Sequence, residues 1–465
     1  MTKNNDDKIG YSSTIGVPKG RDWTKGNIFK NLLSLSWPLI IGNVLTSTGP
    51  VIDMIWVGKL GSASVAGVAV SYLLVQLLDS FKMGLDMGTR AMIAHFVGAG
   101  DNQMANHVAL QGYVVTIGFA AIVGTIGALL AVPILRMMGL DPEAVAEGAP
   151  YLRIQFVGIL TMGLIWQNQG TMQFSGDTIG PMKVAIVYRF VHVVLCPFMV
   201  FGWWVFPRLG TSGAAYTGII SASMGAAIGL WFLLSGRTRL KLSFRYFRPD
   251  AKMIWRIIKI GVPASVTGIE RQLGQVVLTW LITPFGIIAT AAHALVLQVT
   301  QLVNITGSGL GQGAAVLVGQ NLGAHQPSQS EKSGWLGVGS YTIVLVFVSL
   351  AVWFWGRNVI GIFNNEVDVL EVGKTFLKIQ VVTYLFSGCT VVLQQCLNGA
   401  GDTLPVMIVT LLGMFVVQLP LAFVLSRYTG LGVHGTYWGI AVGTIVMAAI
   451  YATYFRVGLW KRKKL

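Results

Sequence analysis

Gly84 to Gly98 reads G-L-D-M-G-T-R-A-M-I-A-H-F-V-G, and Gly309 to Gly323 reads G-L-G-Q-G-A-A-V-L-V-G-Q-N-L-G. Gly84, Gly88 and Gly98 return as Gly309, Gly313 and Gly323, 225 residues later. The same interval carries Pro38 to Pro263, Gly61 to Gly286, Leu152-Arg153-Ile154-Gln155 to Leu377-Lys378-Ile379-Gln380, and Gly176-Asp177-Thr178 to Gly401-Asp402-Thr403. The chain is a duplication, and its fold is that of the duplicated unit taken twice.

Composition names the solvent of that unit. Of 465 residues, 11% are charged and 54% hydrophobic, a balance foreign to soluble domains of this size. Apolar runs of about 20 residues, each long enough to cross roughly 30 Å of hydrocarbon as a helix, recur about twelve times. Their length, and the lack of strict alternation, argue against a β-barrel of roughly ten-residue strands. The expected fold is therefore an all-α polytopic membrane protein. Cys196, Cys389 and Cys396 have neither disulfide nor zinc spacing and read as packing residues.

The net charge of +15 is a topology signal before it is a nucleic-acid signal. The cations cluster at Lys19, Arg21, Lys25 and Lys30, then at Arg237, Arg239, Lys241, Arg245, Arg248, Lys252, Arg256 and Lys259, then at Lys461 to Lys464. The segments between them on the other side hold no basic cluster. This predicts both termini in the cytoplasm of a plasma (inner) membrane protein. Residues 1–30 form a polar tail without a cleavable signal, 31–235 the first six-helix lobe, 236–256 a basic cytoplasmic linker, 257–457 the second lobe and 458–465 a basic tail.

Pro38 and Pro263 fall in spans one (Leu32–Val57) and seven (Ile257–Leu281), so six crossings separate equivalent positions. An even number gives two lobes of like orientation, a parallel repeat with a central site expected where the lobes meet. No P-loop G-x-x-x-x-G-K-[ST] is present, so uphill transport would draw on an ion gradient.

At Pro38-Leu39-Ile40, Ile52 to Gly58 (I-D-M-I-W-V-G), Val97-Gly98-Ala99-Gly100-Asp101, Gly176-Asp177-Thr178, Val318 to Ala324 (V-G-Q-N-L-G-A) and Asn398 to Thr403 (N-G-A-G-D-T), the chain resembles the multidrug and toxic compound extrusion (MATE) family. The resemblance runs from about Lys30 to the C-terminus. It implies a secondary antiporter in which proton or sodium entry drives export of lipophilic, often cationic compounds. It also implies a V-shaped pair of lobes that alternate between outward-open and inward-open states. Beyond the coupling ion, H+ or Na+, no cofactor is expected. The expected partners are a small amphiphilic substrate and the lipid bilayer, with no nucleic acid, and the expected state is a monomer.

Ionisable groups inside a membrane are costly, so each is a functional candidate. Asp53 lies near the end of span one, where the family carries an acid that binds the coupling ion. A carboxylate there can exchange a proton or ligate sodium with neighbouring oxygens. The family's proton-coupled branch has a second acid and an asparagine on span five, four residues apart and just ahead of a proline. This chain has Cys196 before Pro197, and His192. Arg189 and His192 share a helix face at i and i+3. Two functional readings follow: His192 carries the proton, or Arg189 serves as a fixed counter-ion to Asp53; the alternative is a snorkelling arginine beside a packing histidine. Tyr151 and Gln169, on span four, match polar cavity positions of the family.

Asp79, Lys82, Asp86 and Arg90 recur on span two at steps of three and four, a ladder of alternating sign on one face. Their counterparts Asn304, Gly307, Gly311 and Ala315 are uncharged, so the ladder belongs to the first lobe alone. Two readings stand, an internally paired polar seam or a substrate-contacting face, and both place it inside the protein. In the second lobe, Glu270 is a candidate for ion coupling. The NorM-like sodium branch has its glutamate one position further from the proline, where this chain has Arg271, and an aspartate where this chain has Ser387. Gln298, Gln301, Asn304, Ser308 and Gln312 form a polar stripe on span eight, expected to face the cleft. His293 reads as a structural histidine, and Met83, Met87, Trp166 and Met172 as packing or an adaptable apolar lining.

Two other functions compete. A flippase or exporter of lipid-linked or amphipathic anions would use Arg90, Arg189, His192 and Arg271. An integral-membrane transferase would need clustered acids for a divalent metal, and Asp177 and Asp402 stand in separate loops.

Overall fold

The computed structural model describes residues 21–245 and 247–463. The tail reading of residues 1–20, with Lys19, and the terminal Lys464 lie outside them. Fourteen α-helices are described. In the first lobe they are α1 (Ile28–Ser47), α2 (Gly49–Val57), α3 (Ser62–Gly98), α4 (Asn102–Met137), α5 (Pro142–Ser175), α6 (Ile179–Phe201) and α7 (Gly210–Ser235). The second lobe contains α8 (Ala251–Ile282), α9 (Ile287–Gly323), α10 (Pro327–Gly361), α11 (Val367–Gly399), α12 (Thr403–Leu411), α13 (Leu419–Arg427) and α14 (His434–Val457). No strand occurs among the described residues.

Eleven helical spans among these are long and apolar enough to cross a bilayer, with α1 and α2 forming one and α12 and α13 another. The 32-residue α8 completes the repeat; Lys252, Arg256, Lys259, Glu270 and Arg271 give it five charged residues. It begins at Ala251, inside the segment read as linker.

Two spans are less regular than their hydropathy suggests. Span one breaks at Thr48, between α1 and α2. Pro50 has no N–H to return to the Thr46 carbonyl, so the helical ladder is interrupted there. Span eleven loosens into a π-helical stretch over Leu412–Gln418, just before Pro420 in α13. Freed backbone groups inside a membrane need new partners, and at Thr48 they find one described below.

The glycine stretches that reveal the duplication are where the lobes touch. Gly84 packs on the backbone of Ser265, and its counterpart Gly309 on that of Ile40, which is 225 residues before Ser265. Gly98 packs on Gln320, and Gly323 on His95, which again are repeat counterparts. Each contact is therefore made twice, related by the pseudo-two-fold axis of a parallel repeat. A Cβ at any of these four glycines would collide with backbone across the interface, and small residues of this kind let membrane helices approach closely. Ser265 Oγ adds a hydrogen bond to the Phe81 carbonyl at 2.6 Å.

The interface closes one end of the molecule. α3 is continuously buried from Gly84 to Ala94 and α9 almost so from Gly309 to Asn321, whereas their N-terminal halves are mostly partly exposed. The basic segment after α7 is tied down at the closed end. Asn106 bonds the Ser243 backbone through both its amide atoms, at 3.0 and 2.9 Å; Gln111 Nε2 donates to the Arg248 carbonyl at 2.7 Å; and Arg239 donates to Gln320 Oε1 at 3.3 Å. The C-terminal end is held by Lys461–Glu331 (2.6 Å) and Lys463–Asp402 (2.9 Å) ion pairs. A cleft between α3 and α9 thus opens toward the end opposite the basic segment.

Candidate functional site

The break in span one organises the first site. Where α1 stops, the carbonyls of Leu45 and Thr46 point out at the negative end of a helix dipole. Arg189 of α6 fills that position: Nε donates to Leu45 O at 2.8 Å and Nη2 to Thr46 O at 2.9 Å. Gly49 faces the guanidinium so closely that no Cβ fits. The third branch, Nη1, lies 2.9 Å from His192 Nδ1. A guanidinium only donates, so Nδ1 accepts and the imidazole proton sits on Nε2. Nε2 in turn lies 3.1 Å from Asp53 Oδ1 of α2, off the ideal hydrogen-bond angle. Cys196 Sγ donates to the same oxygen at 3.7 Å.

The result is a line of groups running from the broken helix end through Arg189 and His192 to Asp53. His192 and Arg189 are buried, and the Asp53 side chain is 15% exposed. Tyr72 of α3 and Tyr151 of α5 stand near enough to feel the Asp53 charge. Tyr151 is fully buried and accepts from Gln155 Nε2 at 3.0 Å. It therefore supports the Asp53 site instead of lining an open cavity.

Ligand atoms of Asp53, His192 and Cys196 all lie within 4.8 Å of one another. That spacing would suit a metal, but a metal-bound imidazole donates its second N–H to an acceptor. Here Nδ1 faces a guanidinium. The donor set fits a hydrogen-bonded relay better than a cation of charge two.

The α3 ladder turns inward, as expected, but is only partly paired. Lys82 Nζ bonds Asp86 Oδ1. Asp86 Oδ2 and Arg90 Nε, both buried, have no hydrogen-bond partner, and Arg90 packs against Gly170. Of the two readings, the paired seam holds only at Lys82–Asp86, which the i, i+4 reach closes, while Arg90 packs toward α5. Asp79 and Lys82 border a water-sized pocket of about 10 Å³ beside Phe119 and Trp166. Met87 and Met172 are core residues. Gln169 borders a second small pocket, about 20 Å³, between α1, α5 and α6, with Asn43 and Thr46.

The second lobe has a larger cavity of about 270 Å³. Glu270 and Arg271 both line it, despite pointing about 100° apart on α8. The two are not within ion-pair distance, and neither makes a hydrogen bond among the described residues. Asn304 lines the same cavity; Gln298 and Gln301 are exposed on the open half of α9, where the stripe was expected to face the cleft. His293 is held on both nitrogens, by Tyr437 Oη at 2.8 Å and Thr279 Oγ1 at 3.4 Å, as expected of a structural histidine.

Sequence reasoning passed over several residues. Pro50 was the signal for the span-one break, since a missing N–H predicts a free carbonyl one turn earlier. Gln380, Gln394, Gln418, Tyr437 and Tyr451 line the second cavity. Gln380 and Gln394 lie on α11 and Tyr437 and Tyr451 on α14, each pair 14 residues apart, with Gln418 at the end of the π-helical stretch; uncharged and widely spaced, they do not stand out along the chain.

The MatE family model matches residues 38–198 and 263–424, one match per lobe. A probable multidrug resistance protein of Bacillus subtilis, YoeA, is 26% identical over 95% of this chain and 96% of its own length. A probable multidrug resistance protein NorM of Thermotoga maritima is 25% identical over 94% of each chain. Among solved structures, an outward-facing multidrug resistance MATE family transporter of the MOP superfamily superposes with a TM-score of 0.89 at 21% identity, covering 95% of this chain and 98% of that one. A Pyrococcus furiosus MOP superfamily transporter, described as having a binding pocket of reversed polarity, superposes with a TM-score of 0.88 at 21% identity over the same shares.

Proposed function

Because this chain belongs to the MatE family of multi-pass membrane transporters, we propose that it is a cation-coupled antiporter that exports lipophilic, often cationic compounds by alternating access. The observation that carries this reading is Asp53. It is a carboxylate on a broken membrane helix, 3.1 Å from a histidine of another helix that is itself bonded to a guanidinium. A proton or a sodium ion arriving there changes the charge at the junction of α1, α2 and α6, and so favours one arrangement of the lobe over the other. Coupling follows if ion and substrate bind the two arrangements differently. The multidrug names of the relatives support the substrate class. In the second lobe, Glu270 is a further ion-coupling or cation-binding acid, since its carboxylate opens on a cavity without a paired base.

The cleft opens away from the basic segment. With that segment and both termini in the cytoplasm, this is the outward-open state, and the glycine contacts are the inner gate.

The test is uptake of a fluorescent lipophilic cation into proteoliposomes under a pH gradient and, separately, a sodium gradient, with Asp53→Asn alongside. One gradient should drive uptake, and Asp53→Asn should abolish it. Transport by neither gradient in folded protein would sink the reading. A second reading, export or flipping of an amphipathic anion, draws on Arg271, which is exposed, lines the second cavity and has no ion-pair partner among the described residues. It predicts that an anionic amphiphile competes where the cationic dye does not.

A further inference from the structure

We propose that Arg189 is the resident cation of the first lobe: its guanidinium supplies the counter-charge for Asp53, so that this lobe takes up no sodium. The inference deepens the antiporter reading and rests on it only in treating Asp53 as the coupling acid.

Three observations carry it. First, the guanidinium is locked in place. Its Nε, Nη1 and Nη2 groups each have a partner, two of them backbone carbonyls at the end of α1, of which Thr46 O lacks its helical N–H because residue 50 is proline. A guanidinium keeps its charge, and withdrawing it would leave Leu45 O with the Thr48 hydroxyl and Thr46 O with the Thr48 N–H as their described donors. Second, the space is taken. Gly49 is in contact with the guanidinium, leaving no room for a hydrated or partly hydrated ion on that side. Third, two backbone carbonyls and one carboxylate oxygen that a hard cation could use are already engaged. Leu45 O and Thr46 O accept from Arg189, and Asp53 Oδ1 faces His192 Nε2 and Cys196 Sγ. Tyr72 and Tyr151, which also feel the Asp53 charge, bring hydroxyls, and the cluster of candidate ligands among the described residues holds no second acid.

Charge accounting agrees. With His192 neutral, as its contact with Arg189 requires, Asp53 and Arg189 sum to zero. A sodium ion added to this set would leave a net positive charge in low dielectric. A proton, by contrast, can be accepted by Asp53 with only local rearrangement.

The test is sodium binding to the purified full-length protein in detergent, read as the shift in thermal unfolding midpoint between sodium chloride and choline chloride at equal ionic strength. Wild type and Asp53→Asn should respond to sodium alike, any response arising elsewhere, for instance at Glu270. Arg189→Gln should gain a sodium-specific stabilisation that Arg189→Gln/Asp53→Asn lacks. Arg189→Lys, which keeps the charge, should behave as wild type. A wild-type sodium response that Asp53→Asn removes would overturn the proposal, as would a folded Arg189→Gln that gains no response. Should Arg189→Gln fail to fold, the comparison of wild type with Asp53→Asn decides alone. Binding is measured here without transport. Vesicles in which neither gradient moves substrate would therefore defeat the antiporter reading while leaving the resident-cation assignment standing.

Discussion

Arg189 donates from Nη1 to His192 Nδ1 at 2.9 Å, one turn along α6, and thereby turns the protonated face of the imidazole toward Asp53. Three groups from two helices behave as one unit, and removing any of them leaves the others mismatched.

The first prediction concerns that unit. Arg189→Gln removes the donor to the buried His192 Nδ1 and the positive charge behind it, at a cost of about 1–3 kcal/mol for an acceptor left unsatisfied. Asp53→Asn should also destabilise, by leaving the guanidinium charge without a nearby anion. The double variant should lose less than the sum of the two, because it removes both unpaired charges. Unfolding of the four proteins in one detergent measures the cycle, and strict additivity would show that Asp53 and Arg189 act independently.

The paired glycine contacts lead to the second. Gly98→Leu and Gly323→Leu place side chains against the backbone of Gln320 and His95 respectively. Overpacking typically costs about 1–3 kcal/mol, and if it falls only on the closed state this shifts the equilibrium about 5- to 150-fold toward the state open at that end. Spin-label distances across α3 and α9 at the closed end should lengthen in both variants. Since the contacts are symmetry-related, the two should behave alike; a response in one alone would mean the repeat axis is not the axis of motion.

Substrate charge should be read by the second cavity. Glu270→Gln is expected to weaken a cationic substrate by about 1.5–3 kcal/mol, the range for losing a hydrogen bond to a charged group. Arg271→Gln should spare the cation. Tyr437→Phe, which removes only the hydroxyl held by His293 Nδ1, should cost about 0.5–1.5 kcal/mol of stability with little change in affinity. Dye-binding titrations and unfolding curves on the same preparations separate these outcomes.

The basic segment provides a pH prediction outside the membrane. Hydrogen bonds from the backbone N–H of Met253, then from His107 and the Lys252 N–H, hold the Asp250 carboxyl below the usual carboxylate range. A carboxylate depressed on folding contributes stability above its unfolded pKa, about 3.9, and that contribution disappears as pH falls through the lower folded value. Asp250→Ala should therefore be less stable than wild type at pH 7. The gap should narrow below about pH 4, as monitored by thermal unfolding across pH 3–7. A gap independent of pH would assign the loss to packing.

Much of this architecture was legible along the chain. Membrane spans follow from runs of apolar residues, the parallel repeat from an even number of crossings between equivalent prolines, and the lobe contacts from glycines that recur at a constant interval. These are local or periodic features, and one sequence carries them in full. Asp53, Arg189 and His192 were also visible, because charge is rare in a membrane and each instance stands out.

What the tertiary structure decided is who meets whom. Arg189 stands about 140 positions from the carbonyls it binds, and no periodicity in α6 announces that it would enter the break behind Pro50. Glu270 and Arg271 share a cavity because α9, α11 and α14 close around α8, although their own helix points them apart. The physical reason is the same in both cases. Apolar burial is non-directional and is specified by the amount and spacing of hydrophobic surface, whereas a hydrogen bond or a buried charge needs a partner at a defined distance and angle. Helix packing supplies that geometry only once the chain has folded.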